Sequence, residues 1–249
     1  VTGDGDPHNL IAPQTINLRT AVEMVEAVLD RDGAEQSARA YQRTAHDPAT
    51  VLANNTGIYL DAVNLIAQIR LGSEQIAALT AAAEQLAPGV TEEPGWEALL
   101  GHLARLDAEG TRPHAILDAA ISMRSLDGAH DRAAVIDGRL DRLRPPTAGP
   151  LPWLPGVPAA IANDPTWGTY LAARVDQVQT TAAAVRARIL ATEPGNLPRW
   201  AQPLADSPDI LGDVAVWRAV IGLPDSEPDP IGPPITIGRA RDWQRALDE

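Results

Sequence analysis

From Leu18 onward the apolar residues recur every three or four positions. Leu18, Ala21, Val22, Val25, Val28 and Leu29 fall on one helical face, with Asn17 as its cap and Gly33 as its stop. A second helix is expected over 34–45. Asp47-Pro48 then opens a longer one with its seam at Val51, Leu52, Asn55, Tyr59, Val63 and Ile66. A capping aspartate followed by proline at the first helical position is a strong start signal. Ser73 is read as the cap of a helix carrying Ile76, Leu79, Ala83 and Leu86, which Pro88-Gly89 ends. Trp96, Leu99, Leu100, Leu103 and Leu106 form the next stripe, closed at Gly110. Further helices are expected from Thr111-x-Pro113 through Leu126 and from Asp131 to Leu143.

The pattern breaks at Pro145-Pro146-Thr147-Ala148-Gly149-Pro150-Leu151-Pro152, which reads as a linker. Beyond it a short helix near 158–162 leads to Asp164-Pro165, a second cap-plus-proline start. The helix that follows has the seam Trp167, Tyr170, Leu171, Val175, Val178, Ala182, Val185 and Ile189. Ser207-Pro208 opens another, with Ile210, Val214, Trp217 and Ile221 on one face. A proline-rich loop, 224–234, precedes a last helix bearing Ile237, Ala240, Trp243 and Leu247. No strand-like alternation competes. The pattern therefore predicts an all-α chain of two helical bundles: an extended tail over 1–17, a helical subdomain over 18–144, a linker over 145–152 and a tryptophan-rich subdomain over 153–249.

Composition sharpens this by exclusion. The 249 residues hold no cysteine, no phenylalanine and no lysine, since every basic residue is arginine. That removes disulfides, thiol nucleophiles, cysteine-ligated zinc, the phosphate-loop lysine and Schiff-base chemistry. The formal charge of −13 argues against a broad nucleic-acid footprint, and neither the stretch 1–149 nor 150–249 is basic. Charged residues interrupt every apolar run, so no membrane insertion is expected. The amino terminus lacks a basic-then-apolar leader and an initiator Met, so the cytoplasm and an excised piece of a longer chain are the expectations.

Candidate chemistry is sparse. His8, His46, His102, His114 and His130 are far apart, with no helix-borne metal spacing. Asp225-x-Glu227-x-Asp229 lacks the terminal bidentate glutamate of a calcium loop and carries prolines at 228 and 230. Asn54-Asn55-Thr56 matches a glycosylation acceptor but falls inside an expected helix. Glu92-Glu93 lies where acidic side chains complement the dipole of the Trp96 helix. No Gly-x-Ser-x-Gly elbow occurs. No catalytic residue, metal or cofactor is therefore assigned. Arg174, Arg186 and Arg188 form a mildly basic patch suited to a phosphate backbone, with a plain surface as the simpler reading. Trp167, Trp217 and Trp243 lie on seams and are expected in the core; Trp153 and Trp200, beside prolines, are the candidates for exposed contact.

Several rare tryptophan and proline positions resemble a known family. Leu151-Pro152-Trp153-Leu154-Pro155, Asp164-Pro165-x-Trp167-Gly168-x-Tyr170-Leu171-x-Ala173-Arg174, Pro198-x-Trp200-Ala201, Asp213-Val214-x-Val216-Trp217-Arg218-Ala219, Gly232-Pro233-Pro234 and Ala240-Arg241-x-Trp243-Gln244-x-x-Leu247 are similar to actinobacterial plasmid relaxases of the MobF class. Arg31-Asp32-Gly33-Ala34-x-x-Ser37-Ala38 and Asp47-Pro48-Ala49 carry the resemblance into the front half. Gly3-Asp4-Gly5-Asp6-Pro7-His8 resembles the run after the last helicase motif. In that family an amino-terminal domain nicks DNA through tyrosines and a histidine-bound metal, and a helicase core follows. This chain has only Tyr41, Tyr59 and Tyr170, no histidine triad and no lysine, so none of the family's catalytic residues carries over. The resemblance implies a non-catalytic carboxy-terminal accessory module. Its expected partners are relaxosome components or the type IV secretion coupling protein. Auxiliary single-stranded DNA binding through Arg174, Arg186 and Arg188, or a spacer role, are the alternatives.

Overall fold

A computed structural model describes residues 47–145, 147–235 and 238–248. The expected tail at 1–17, the helices at 18–33 and 34–45, and His8 and His46 lie outside the described residues. Those that are described form an all-α structure with no strand; one isolated antiparallel bridge joins Ala148 and Pro155. In chain order the α-helices are α1 (Pro48–Leu71), α2 (Ser73–Leu86), α3 (Trp96–Ala108), α4 (Pro113–Ser122), α5 (Arg132–Leu143), α6 (Ala159–Ala162), α7 (Trp167–Leu190), α8 (Pro208–Ile221) and α9 (Gly238–Asp248). None is long and apolar enough to cross a membrane.

Local chemistry accounts for the starts of α1, α5 and α7. Asp47 Oδ2 accepts from the Thr50 amide at 3.3 Å, with Pro48 in the first turn where its missing N–H costs nothing. Asp131 Oδ1 accepts from Ala134 N at 2.9 Å to open α5. Asp164 Oδ1 takes the Thr166 and Trp167 amides at 2.8 and 2.9 Å ahead of α7. Glu93 acts on a different helix from the one expected. Its Oε2 accepts from the Arg132 and Ala133 amides and its Oε1 pairs with Arg132 Nε at 2.5 Å, so it serves the amino end of α5 rather than α3. The fourth helix also stops short of the expected Leu126. The buried Arg139 guanidinium takes the carbonyls of Ala120, Ile121 and Ser125, closing the chain after Ser122.

Two apolar cores result, and the chain does not divide between them at the expected linker. The first gathers Leu52, Tyr59, Val63 and Ile66 of α1 with α7, α8 and the tryptophans Trp153, Trp200 and Trp217. The second gathers Leu79, Leu99, Leu103, Leu117, Ile136 and Leu140 from α2 to α5. Helix α1 thus packs with the carboxy-terminal half. The third helix serves both cores, giving Ala104 and Ala108 to one and Leu99, Leu103 and Leu106 to the other.

Residues 147–156 are a packed turn rather than a free linker. Leu151 and Leu154 are buried, and the Tyr59 hydroxyl donates to Pro155 O at 2.6 Å. A Cβ at Gly149 would collide with the carbonyl oxygens of Leu154 and Pro155, so the turn closes only with glycine there.

A polar layer lies between α1, α3 and α5. His102, 3% exposed, is hydrogen-bonded through Nδ1 to Asp137 Oδ1 at 2.8 Å, and Arg105 donates to Asn64. Burial pushes the Tyr59 phenol up to about 12 and raises the Asp141 carboxyl. Asp61 on α1 has a buried carboxylate oxygen without a partner among the described residues, and burial pushes its carboxyl up to about 6. Because the folded value lies above the unfolded 3.8, the proton stabilises the fold fully below about pH 4. That contribution is lost as pH rises through about 6. Asp61→Asn is therefore expected to stabilise the chain at pH 7 by ~1 kcal/mol, discounted for the side chain's partial exposure. Urea midpoints from pH 4 to 8 should show the advantage closing on acidification; a pH-independent difference would refute the assignment.

Candidate functional site

Antiparallel packing of α1 on α7 brings the amino end of one beside the carboxy end of the other. There the Asp47 carboxylate, which caps α1 through one oxygen, pairs through the other with the Arg188 guanidinium. Arg186, two residues earlier, turns instead to α8. It pairs with Asp213, and its aliphatic stem lies so close over Gly212 that a Cβ there would meet Arg186 Cγ at 2.7 Å. Arg174 stacks over the Tyr170 ring at 4.9 Å and donates to Gln177 at 2.8 Å. The three arginines expected to form one basic patch therefore act separately. Two of them join α7 to its neighbours, and about 21 Å of helix separates Arg174 from Arg188.

Three tryptophans, Trp153, Trp200 and Trp167, depart from their expected roles. Trp153 is only 8% exposed, packed edge-on against Trp217 at 5.2 Å and tilted against Trp243 at 5.7 Å. Trp200 is 4% exposed; its Nε1 donates to Asp225 at 2.9 Å and the Arg218 guanidinium lies over its ring at 4.5 Å. Neither is the exposed contact expected from its proline neighbours, because the turns those prolines make fold back onto the core. Trp167, expected on a buried seam, is 37% exposed; in the first turn of α7 it is Gly168 that is buried, close against the Ala162 carbonyl. Trp217 is fully buried as expected.

Two of the five sequence candidates do converge. Trp200 and Arg188 line one open cleft of about 290 Å³ between the first turn of α1, the end of α7, the 192–200 segment and α8. Its floor is apolar, from Val185, Ile189, Ala215 and Ala219. Its rim is polar, from the Asp47–Arg188 pair, Thr192, Asn196 and Asp225. Polar and apolar groups share the lining about equally, so the recess offers fixed hydrogen-bonding groups beside apolar side chains.

Sequence reasoning did not identify Arg218, which holds the back wall. It is 3% exposed, and its guanidinium donates to the carbonyls of Pro224, Glu227, Asp229 and Pro230. Burial draws its pKa below the ordinary arginine value, against the opposing pull of Asp225, Glu227 and Asp229. The signal was present: an arginine on an apolar helix face, followed by a proline-rich stretch poor in N–H donors, marks carbonyls in need of a partner. The described residues contain no group of three or more His, Asp or Glu placed to hold a metal. Comparison with protein-family models, curated proteins and solved structures returns no significant match.

Proposed function

We infer that the chain is a non-catalytic accessory module of a conjugative relaxase–helicase, acting by binding a protein partner at the cleft between α1, α7 and α8. One observation carries this reading: stretches that bear the family resemblance, far apart in sequence, meet at the cleft. Asp47, Pro48 and Ala49 come from one, Pro198 and Trp200 from a second, Arg218 and Ala219 from a third. The cleft suits a partner side chain, since an aromatic wall held by Asp225 and Arg218 is already ordered and binding need not order it. Relaxosome components and the type IV secretion coupling protein are the partners proposed.

The test is retention of those components on the immobilised chain. Thr192→Trp, at the cleft mouth, is expected to cut recovery of the bound partner at least tenfold with the melting temperature unchanged. Equal recovery by the wild type, the variant and bare resin would sink the reading. Salt-sensitive retention of a single-stranded oligonucleotide in place of protein would point to the nucleic-acid alternative.

A further inference from the structure

Besides Leu190 at the far end of α7, five large hydrophobic side chains remain exposed on two neighbouring helices: Ile58, Leu65 and Ile69 on α1, Trp167 and Tyr170 on α7. The three on α1 recur at helical spacing and form one stripe. The pairing of the two helices sets their register. Asp47 meets Arg188 at one end. At the other, the Asp164 carboxylate is held below the ordinary range by the Trp167 and Thr166 amides and then by Arg70 of α1. This register puts Tyr170 level with Leu65, and Trp167 level with Ile69. Tyr170 also lies five helical turns from Arg188, on the α7 face that turns toward α1. Exposed apolar groups on paired helices, bordered by Arg70 and Arg174, make a face suited to an acidic amphipathic helix.

We propose that the occupant of this face is residues 18–33 of the same chain, a stretch outside the described residues. Three features of the chain select it. Its apolar positions Leu18, Ala21, Val22, Val25, Val28 and Leu29 share one helical face. It carries Glu23, Glu26, Asp30 and Asp32 against Arg19 and Arg31, an acidic excess that matches the basic border. The connection also has the right length. The described residues begin at Asp47, on the α1/α7 seam itself, and a connection of the length of 34–46 spans ~20 Å as a helix or ~43 Å extended. The stripe begins ~15 Å along α1 and ends at ~32 Å, within that reach. As a helix of ~24 Å, residues 18–33 exceed the ~16 Å between Ile58 and Ile69. The face and its occupant are distinct from the cleft and do not depend on the partner proposed there.

Because the chain has no cysteine, the contact can be read by paired cysteines in the full-length protein. Leu65→Cys is combined in turn with Val22→Cys, Val25→Cys and Leu29→Cys, and as controls with Glu23→Cys, Ala27→Cys and Asp30→Cys on the opposite helical face. Oxidation is expected to give an intrachain disulfide with at least one seam position and with none of the controls, since the bond forms only across ~4–7 Å between Cα atoms. Equal yields from both faces, or no intrachain product, overturn the proposal. Dimers on a non-reducing gel would overturn it in favour of a second copy on this face. Ile69→Asp gives an independent reading, as this exposed site tolerates the change: tryptic cleavage after Arg19 and Arg31 is expected to accelerate at least tenfold, and an unchanged rate counts against the contact.

Discussion

Trp217→Ala is expected to destabilise the protein by ~4 kcal/mol, the scale for deleting a buried tryptophan without collapse of the space around it. Trp217 has no exposed surface and stands in the middle of α8, where Trp153 packs edge-on against it. Its Nε1 donates to Ile231 O at 3.0 Å, so the ring also anchors the loop that runs back toward α9. Removal would cost packing in the first core, take from that carbonyl one of its two donors, the other being the Gln244 amide, and free one side of Trp153. The neighbours cannot move in easily, because Trp153 is held by its own turn and by Trp243. Trp217→Phe separates the contributions. It keeps most of the ring and loses the donor, so ~1–2 kcal/mol is expected. Urea midpoints and slopes for both variants provide the measurement. A loss below ~1 kcal/mol for the alanine variant, against the usual range for such sites, would mean that Trp217 is not the centre of this core.

What the sequence made legible is short-range. Asp47-Pro48 and Asp164-Pro165 mark helix starts that the structure contains, because a capping carboxylate and a proline act within three residues of each other. The seams of α1 and α7 were readable in large part, since Leu52, Tyr59, Val63, Leu171, Val178 and Val185 reach the interior, while Trp167 and Tyr170, read on the same α7 seam, stay exposed. Which core a seam joins is a long-range matter. Nothing local in 48–71 says that its face meets α7 and α8 rather than α2. A proline-rich run such as 145–152 signals a bend but does not say whether the bend packs; Tyr59 donating to Pro155, 96 residues away, decides that. The site followed the same rule. Residue type singled out Arg188 and Trp200, yet the acids that occupy them, Asp47 and Asp225, lie 141 and 25 residues away. Trp153 was misplaced for the same reason, as its neighbours Trp217 and Trp243 arrive from a different part of the chain.

Arg218→Met is expected to cost ~3–5 kcal/mol, the scale for removing one partner from a buried charged network. The reason lies in the composition of the loop it holds. Prolines at 224, 228 and 230 contribute carbonyls but no N–H groups, so the turn satisfies only part of its own acceptors, Pro224 O through the Glu227 amide and Asp229 O through the Gly232 amide. The guanidinium supplies the missing donors to four carbonyls at once, and Asp225, Glu227 and Asp229 surround it with compensating charge. A methionine of similar length keeps the apolar contact but takes the side-chain donor from all four carbonyls, two of which have no other, and removes the cation that faces the three acids. Arg218→Lys keeps the charge without the planar fork, so an intermediate loss of ~2 kcal/mol is expected. Loss of the clamp should appear first as faster amide exchange at Glu227 and Gly232, whose N–H groups bond to Pro224 O and Asp229 O. Trp200 would lose the cation over its ring in the same variant, and with it the ordered wall of the cleft. Partner retention should therefore fall in Arg218→Met even under conditions where the chain stays folded. Unchanged exchange and an unchanged urea midpoint together would show that the loop is held by something other than this arginine.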